Sequence, residues 1–324
     1  MARPLVSAIR YADMRPLMER RLYIGGSVQF AIALVLVLLS CLPVVAQELT
    51  VATVSIPSGN TPMFGSMFIG TGPAPRPTVV LLKGHPGSSV IGRFGRQENV
   101  LELAEPLQRA GFDVLAFNFR GSWGSGGTYS QTGRIDDVIA AVAFLRSAAA
   151  TRFEVDQRRL TVVGHSMGGM NALIAGADQP DLMCTVGIAP ANLGPMLARL
   201  RPSGALVDVP APGLSVPVAG LGGYTNGDLV RDYRANQSLF DVGTRLTRLK
   251  GRPLLIVEAK RDETVAAAEI AAYVTAARAA GVTPFEHVVI DTDHNFMLDA
   301  EHVDPLARKE LASVVVPWMT KHCK

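Results

Sequence analysis

Short apolar runs alternate with longer segments whose apolar residues recur at helical spacing along most of this chain. Runs of strand length predict strands, and the longer periodic segments predict helices. The predicted strands span residues 49–56, 63–69, 78–82, 113–117, 160–163, 183–188, 254–257 and 287–290. The predicted helices span residues 99–110, 135–149, 170–177, 266–280 and 305–320.

The predicted strands from residue 78 onward are apolar throughout, with little polar alternation. Strands of this kind are buried on both faces, as they are in parallel sheets. Because helices alternate with them, the fold class is α/β, with a mostly parallel central sheet covered by helices on both faces. In such folds, ligands bind beyond the carboxyl ends of the strands.

Residues 191–250 interrupt this alternation with the clusters PSG, PAPG and GLGG and with no clear strand. A long structureless loop is uncommon unless it serves a function, so we predict an inserted cap over the site. A surface excursion without function is the alternative. The predicted organisation is therefore a core in two parts, residues 47–190 and 251–324, with the cap between them.

The N-terminal residues have the pattern of a secretory signal peptide. Arg20 and Arg21 precede an apolar run at residues 30–39, and a V-x-A pattern ends at Ala46. This pattern predicts a signal peptide over residues 1–46, cleaved after Ala46. The expected location of the mature protein is the periplasm or the extracellular medium.

Two alternatives to cleavage remain, an uncleaved N-terminal membrane anchor and a lipoprotein signal with Cys41 as the lipidated residue. The apolar run is shorter than a bilayer span requires, so we expect no stable membrane span after cleavage. Cys184 lies in an apolar run and is expected to be a buried small side chain. A disulfide between Cys184 and Cys323 is possible in an oxidising compartment, although spacing alone does not show that they are close.

The formal net charge of +3 comes from the N-terminus. The chain has 31 Lys and Arg against 28 Asp and Glu, and residues 1–46 hold five arginines against two acids, Asp13 and Glu19. The remainder is formally neutral. A neutral body gives no electrostatic reason to expect nucleic-acid binding.

A G-x-S-x-G motif provides the strongest chemical signal, with Gly164, Ser166 and Gly168 at its fixed positions. It follows the predicted strand 160–163 and precedes a predicted helix. A sharp turn in that context exposes the serine hydroxyl at the positive end of the helix, and small residues relieve the crowding around it. The motif therefore predicts Ser166 as a nucleophile.

A serine hydroxyl needs a base to take its proton, and an acid to orient that base. In hydrolases with this turn, the acid follows the serine in the chain and the histidine comes last. Glu258, Asp262 and Glu263 compete for the acid role after the strand 254–257. We predict Asp262, because it lies beyond the strand end, where a loop can turn it towards the site.

His294 follows the last predicted strand and is the predicted general base. The other five histidines fit less well: His165 lies in the nucleophile turn itself, and His287 lies inside a predicted strand.

Backbone N–H groups are expected to stabilise the oxyanion of a tetrahedral intermediate. One predicted donor is Met167, the residue after the nucleophile. The second is His85, in the turn that follows the strand 78–82, since Pro86 has no N–H.

A second glycine-rich turn spans residues 118–127 and lies on the same rim of the sheet. It lacks the G-K-[ST] pattern of a phosphate-binding loop. Arg120 is expected to pair with Asp136 or Asp137. Trp123 is a candidate for the substrate pocket, with simple packing as the alternative.

The stretches PTVVLLKGHPGSS, FNFRGSWGSGG, VVGHSMGG, PLLIVEAKRDETV and DTDHNF together resemble the α/β-hydrolase superfamily. The most similar branch holds dienelactone-hydrolase-like esterases and the catalytic domains of prolyl-oligopeptidase-type peptidases. The resemblance implies the α/β-hydrolase fold and a serine hydrolase. Two departures are Lys83-Gly84, where the family often has His-Gly, and Glu258-Ala259 before the acid loop.

The expected function is hydrolysis of small-molecule carboxylic esters through an acyl-enzyme. A peptidase or amidase acting on short peptides is the main alternative. A catalytically inactive binding protein and a cofactor-free perhydrolase are further alternatives on the same fold. We expect no cofactor, and the sequence shows no residues at metal-ligand spacing.

Overall fold

One sheet of eight strands organises the computed structural model, which describes residues 49–85, 102–199, 217–296 and 305–324. In chain order the strands are β1 (Thr50–Ser58), β2 (Thr61–Ile69), β3 (Arg76–Leu82), β4 (Asp113–Phe117), β5 (Val155–His165), β6 (Cys184–Ile188), β7 (Leu254–Ala259) and β8 (Phe285–Ile290). Their spatial order is β1-β2-β4-β3-β5-β6-β7-β8.

The pairings within the sheet are mostly parallel. Strand β2 runs antiparallel to both of its neighbours, β1 and β4. The pairs from β4 through β3, β5, β6 and β7 to β8 are all parallel. The fold class predicted from the apolar pattern is therefore confirmed. The carboxyl ends of the parallel strands meet at one edge of the sheet, where ligand sites of such folds lie.

The helices in the described ranges connect these strands. They are α1 (Ala104–Arg109), α2 (Gln131–Leu145), α3 (Ala148–Phe153), α4 (Met167–Asp178), α5 (Leu193–Arg199), α6 (Asn226–Ala235), α7 (Gln237–Phe240), α8 (Val242–Arg245), α9 (Ala267–Ala279) and α10 (Pro305–His322). A short 3₁₀ turn, Leu246–Leu249, precedes β7. No helix in the described ranges is both long enough and apolar enough to cross a membrane.

Two apolar layers cover the two faces of the sheet, because successive side chains of a strand point to opposite sides. On β3, Val80 and Leu82 belong to the layer that contains residues of α2, α4 and α9. Val79 and Leu81 belong to the opposite layer, with residues of α1 and α10. Burial on both faces explains why these strands are apolar throughout.

The prediction of one continuous helix over residues 135–149 is wrong. Helix α2 ends at Leu145, and a second short helix begins at Ala148. Between them Ser147 is extended, with φ −99° and ψ −153°. Its hydroxyl donates to the carbonyl oxygen of Phe144 at 2.7 Å, a local bond that competes with helical hydrogen bonding.

The described residues within 191–250 are largely helical and pack onto the sheet. The apolar layer that contains Val80 and Leu82 of β3 also contains Leu193, Leu229 and Phe240. Residues 200–216 lie outside the described ranges. The cap over the site, and the domain limits drawn around it, stay predictions.

The C-terminal helix α10 is tied to the sheet by a disulfide. Cys184 at the start of β6 and Cys323, just after α10, are bonded, with their Cα atoms 5.8 Å apart. The sequence alone did not decide whether Cys184 and Cys323 are bonded, and the structure shows the bond. The predicted signal peptide and Cys41 lie outside the described residues.

Replacing Cys323 with serine is expected to lower the free energy of unfolding by about 2–4 kcal/mol, because the unfolded chain loses a cross-link. Urea unfolding followed by circular dichroism measures the change. Wild type with reductant serves as the control and should unfold at the midpoint of the variant. Equal midpoints for the oxidised wild type and the variant would contradict the expectation.

Candidate active site

Ser166 occupies the turn between β5 and α4 with φ 55° and ψ −123°. A positive φ is strained for a residue with a side chain, and persists only where the surroundings impose it. Here the Ser166 N–H donates to the carbonyl oxygen of Ile188 at 2.9 Å, and the Ser166 carbonyl accepts from Met170 and Ala191. These bonds fix both peptide groups of the serine.

The two motif glycines allow this turn because three backbone segments meet there. A Cβ on Gly164 would stand 2.1 Å from the carbonyl oxygen of Gly168. A Cβ on Gly168 would stand 2.4 Å from the carbonyl oxygen of Leu82 at the end of β3. Neither contact is sterically possible, so each position requires glycine.

Three side chains predicted to act together are hydrogen-bonded in a row. The Ser166 hydroxyl lies 2.9 Å from Nε2 of His294, and Nδ1 of His294 lies 2.7 Å from Oδ2 of Asp262. Ser166 and His294 are buried, and the Asp262 side chain is 4% exposed. The arrangement suits transfer of the serine proton to an imidazole that a carboxylate orients.

Asp262 is held in place by the loop that follows β7. The backbone N–H groups of Thr264 and Val265 donate to its Oδ1 at 2.8 and 2.7 Å. These bonds leave Oδ2 directed at His294. The neighbouring Lys260 and Arg261 pair with Asp291, at 3.5 and 3.1 Å.

The two competing acids are placed elsewhere. Oε2 of Glu258 on β7 accepts a hydrogen bond from Nε2 of His287 on β8 at 2.7 Å. Glu263 is exposed. The geometry therefore favours Asp262, and it also explains His287 as the strand partner of Glu258.

His165 is a positioning residue that the sequence did not reveal. Its Nε2 donates to the backbone carbonyl of His294 at 2.8 Å, and the two ring centroids are 4.8 Å apart. Burial lowers the pKa of His165 to about 3, and the nearby His294 adds to that effect. A neutral His165 therefore holds the backbone of His294 in place. Its position directly before Ser166 was the signal available in the sequence.

The two predicted oxyanion donors flank the nucleophile. Met167 is the first residue of α4, and the first N–H groups of a helix have no partner within that helix. A Cβ on Gly84 would lie 3.3 Å from the Cβ of Ser166, so the turn that carries His85 runs beside the serine. Pro86 lies outside the described residues. The oxyanion role of both N–H groups stays a prediction.

Trp123 packs between the rim loop and the segment near Gly220. Its backbone N–H donates to the carbonyl of Gly220 at 2.9 Å, and a Cβ on Gly220 would stand 2.4 Å from the indole. The ammonium of Lys83 lies 5.8 Å from the indole centroid. These contacts agree with simple packing of Trp123, and a role in a substrate pocket stays a prediction.

The expected pairing of Arg120 is confirmed. Its Nε lies 2.7 Å from Oδ1 of Asp137, and Asp136 is 3.9 Å away.

A cavity of about 440 Å³ lies between the segment after β6, helix α7 and helix α9. Its lining includes Asn192, Phe240, Asp241 and Tyr273. Ser166, His294 and Asp262 do not line it. Among the described residues, no cluster of three His, Cys, Asp or Glu side chains is arranged to hold a metal ion.

Two protein families match this chain. A family described as "alpha/beta hydrolase fold" matches residues 77–190, which contain the nucleophile turn. A family described as "Putative esterase" matches residues 144–279, which contain the turn and Asp262. Together with the sheet order and the strained serine turn, these matches show that the chain has the α/β-hydrolase fold.

Individual relatives are similar over a part of the chain. "Uncharacterized protein YfhR" of Escherichia coli K12 is 33% identical over 103 residues, covering 32% of this chain and 33% of that protein. "Cutinase 2" of Thermobifida cellulosilytica is 30% identical over 113 residues, covering 34% of this chain and 41% of the cutinase. This chain therefore spans less than half the length of these relatives.

A solved structure is similar over most of the chain. The esterase Pf2001 of Pyrococcus furiosus superposes with a TM-score of 0.58 at 22% sequence identity. The match covers 85% of this chain and 94% of that one. At this identity the similarity establishes the fold.

Replacing Asp262 with asparagine is expected to lower kcat on a p-nitrophenyl ester by about 10⁴-fold, because the amide stabilises the wrong tautomer of His294. Glu258→Gln is the matched control, since it alters the partner of His287 and leaves the Ser166 row intact. Steady-state kinetics on both variants measures the difference. The opposite ranking would assign the acid role to Glu258.

Proposed function

We propose that this protein is a serine hydrolase that cleaves small-molecule carboxylic esters through an acyl-enzyme. Ser166 is the nucleophile, His294 the general base and Asp262 the acid that orients it. The observation that carries the proposal is the continuous row of hydrogen bonds, 2.9 Å from Ser166 to His294 and 2.7 Å from His294 to Asp262.

In the first half of the reaction, Nε2 of His294 takes the proton of Ser166 as Oγ attacks the ester carbonyl carbon. The carbonyl electron pair moves onto the oxygen, and the oxyanion is stabilised by the N–H groups of Met167 and His85. The intermediate collapses, and the imidazolium returns its proton to the departing alkoxide. An alcohol leaves, and the acyl group stays on Oγ.

In the second half, His294 removes a proton from water, which attacks the acyl carbon. Collapse of this second tetrahedral intermediate returns the proton to Oγ and releases a carboxylic acid. Asp262 stays ionised throughout and stabilises the imidazolium form of His294. Its two backbone donors, Thr264 and Val265, hold Oδ1, so that Oδ2 faces His294.

Ester hydrolysis is supported by the family description that covers residues 144–279 and by the similarity to a cutinase and to an esterase of solved structure. A peptidase that acts on short peptides usually holds a peptide terminus with charged groups, such as a pair of acidic residues in the cap. Asp228 instead closes a capping box with Thr225, and Asp232 accepts from Tyr224 and from the backbone of Gln131. These bonds favour structural roles for both carboxylates.

We also propose export to the periplasm or beyond. The signal-peptide pattern of residues 1–46 supports it. The disulfide between Cys184 and Cys323 supports it independently, because such bonds persist in oxidising compartments. Mass spectrometry of the protein recovered from a periplasmic extract tests the proposal, with an N-terminus at Gln47 as the expected result and a full-length chain in the membrane fraction as the contrary one.

Replacing Ser166 with alanine is expected to lower kcat on p-nitrophenyl esters by about 10⁶-fold, since the nucleophile is lost. The same change should abolish labelling by a fluorophosphonate probe. Ser122→Ala is the matched control, because Ser122 is a buried serine of the rim loop whose hydroxyl donates to Phe119. It should retain labelling.

The outcomes separate the candidate functions. Labelling at Ser166 with ester turnover supports the esterase, whereas turnover of aminoacyl-p-nitroanilides above esters would favour the peptidase. A folded wild type that takes no label and cleaves no ester would favour a binding protein.

A further inference from the structure

Arg134, in the first turn of α2, is a fully buried arginine that contacts the turn of residues 83–85 after β3. Its side chain is 0% exposed, and its guanidinium carbon sits 3.9 Å from the ring centroid of Phe119. A buried cation is costly unless its donors are satisfied. In the described part of the chain, its partners are two consecutive backbone carbonyls and a phenol oxygen.

The two carbonyls belong to the turn beside the nucleophile. One guanidinium nitrogen donates to the carbonyl of Lys83 at 2.7 Å, and the other to the carbonyl of Gly84 at 3.1 Å. The bond between Gly84 and His85 is trans, and a trans peptide points its C=O and N–H in opposite directions. By holding the carbonyl of Gly84, Arg134 directs the N–H of His85 to the opposite side of the turn.

Tyr129 links Arg134 to the side chain of His85. Its hydroxyl lies 2.9 Å from Arg134 and 2.9 Å from Nδ1 of His85. Burial lowers the pKa of His85 to about 3, and the charge of Arg134 adds to that effect. The neutral imidazole accepts a hydrogen bond from the Tyr129 hydroxyl, which fixes the His85 side chain.

We propose that Arg134 is a positioning residue for the oxyanion hole: its fork holds the turn 83–85 so that the His85 N–H meets the developing oxyanion. The inference rests on the proposed serine hydrolase function. It predicts an effect on the transition state and little effect on substrate binding, because the oxyanion charge develops as Ser166 attacks.

An arginine suits this role better than a lysine. The guanidinium presents two parallel N–H groups in a rigid plane, whereas an ammonium is a single point charge on a flexible stem. Arg134→Lys therefore keeps the positive charge and loses the fork. Arg134→Met removes both, which separates geometry from electrostatics.

The test compares these variants with Arg76→Lys. Arg76 is also buried, at the opposite end of β3, where it binds Asp113 at 2.8 Å and the carbonyl of Phe153 at 3.0 Å. Kinetics on p-nitrophenyl butyrate are normalised to sites labelled by fluorophosphonate at saturation. Binding of a trifluoromethyl ketone, which forms an oxyanion on the serine, is measured alongside.

Losing a whole donor costs about 10²–10³-fold in kcat, so a misdirected one is expected to cost about 10–100-fold in Arg134→Lys, with KM near wild type. Ketone affinity should fall by the same factor. Arg76→Lys should lose thermal stability and keep its kcat per labelled site. A merely structural role for Arg134 would give that second pattern, and so would overturn the proposal.

If the Arg134 variants fail to fold, Tyr129→Phe decides, because it keeps the ring and removes the shared hydroxyl. A lower kcat and weaker ketone binding at unchanged KM support the proposal, and unchanged values overturn it. A wild type that neither labels nor turns over ester overturns the proposed function, and this inference with it.

Discussion

Close approach of three backbone segments is the constraint on which the rest of this structure depends. The end of β3, the end of β5 and the start of α4 pack so tightly that Gly164 and Gly168 have no space for a side chain. That packing forces Ser166 to a positive φ and raises its hydroxyl above the carboxyl edge of the sheet. The distances to His294 and to the turn at Gly84 follow from where this edge places the neighbouring loops. A strained serine is thus the result of sheet packing rather than a local peculiarity.

Main-chain atoms hold each reacting group in turn. Backbone amides donate to the carboxylate of Asp262, and the backbone carbonyl of His294 accepts from His165. The backbone carbonyls of Lys83 and Gly84 accept from Arg134. A side chain fixed through the main chain inherits the rigidity of the sheet, which limits reorganisation during the reaction. Two further histidines, the half-buried His85 and the buried His165, have lowered pKa values and make hydrogen bonds as neutral rings. The proposed proton transfer rests instead on His294, whose two ring nitrogens contact Ser166 and Asp262.

The sequence was sufficient wherever the signal is local. Apolar runs located all eight strands, and the nucleophile turn followed from a motif of five residues. Strand β5 begins at Val155, earlier than its apolar run, because Val155 pairs with Arg76 of β3 ahead of a register shift, and the regular pairing resumes at Leu160. Choosing Asp262 over Glu258 needed only a judgement about loops. Arg134 and the bond between Cys184 and Cys323 lay beyond reach, because each depends on which distant segments the fold brings together.

The disulfide also determines how the site is divided along the covalent chain. Cys184 and Cys323 close a ring of residues that contains Asp262 and His294, whereas Ser166 lies outside it. A single protease cut anywhere within that ring gives two polypeptides that stay covalently attached. If the cut falls between Cys184 and His294, Ser166 and His294 then belong to different chains of one two-chain molecule. Such a nicked form would retain its reacting groups as an assembly until a reductant separated them.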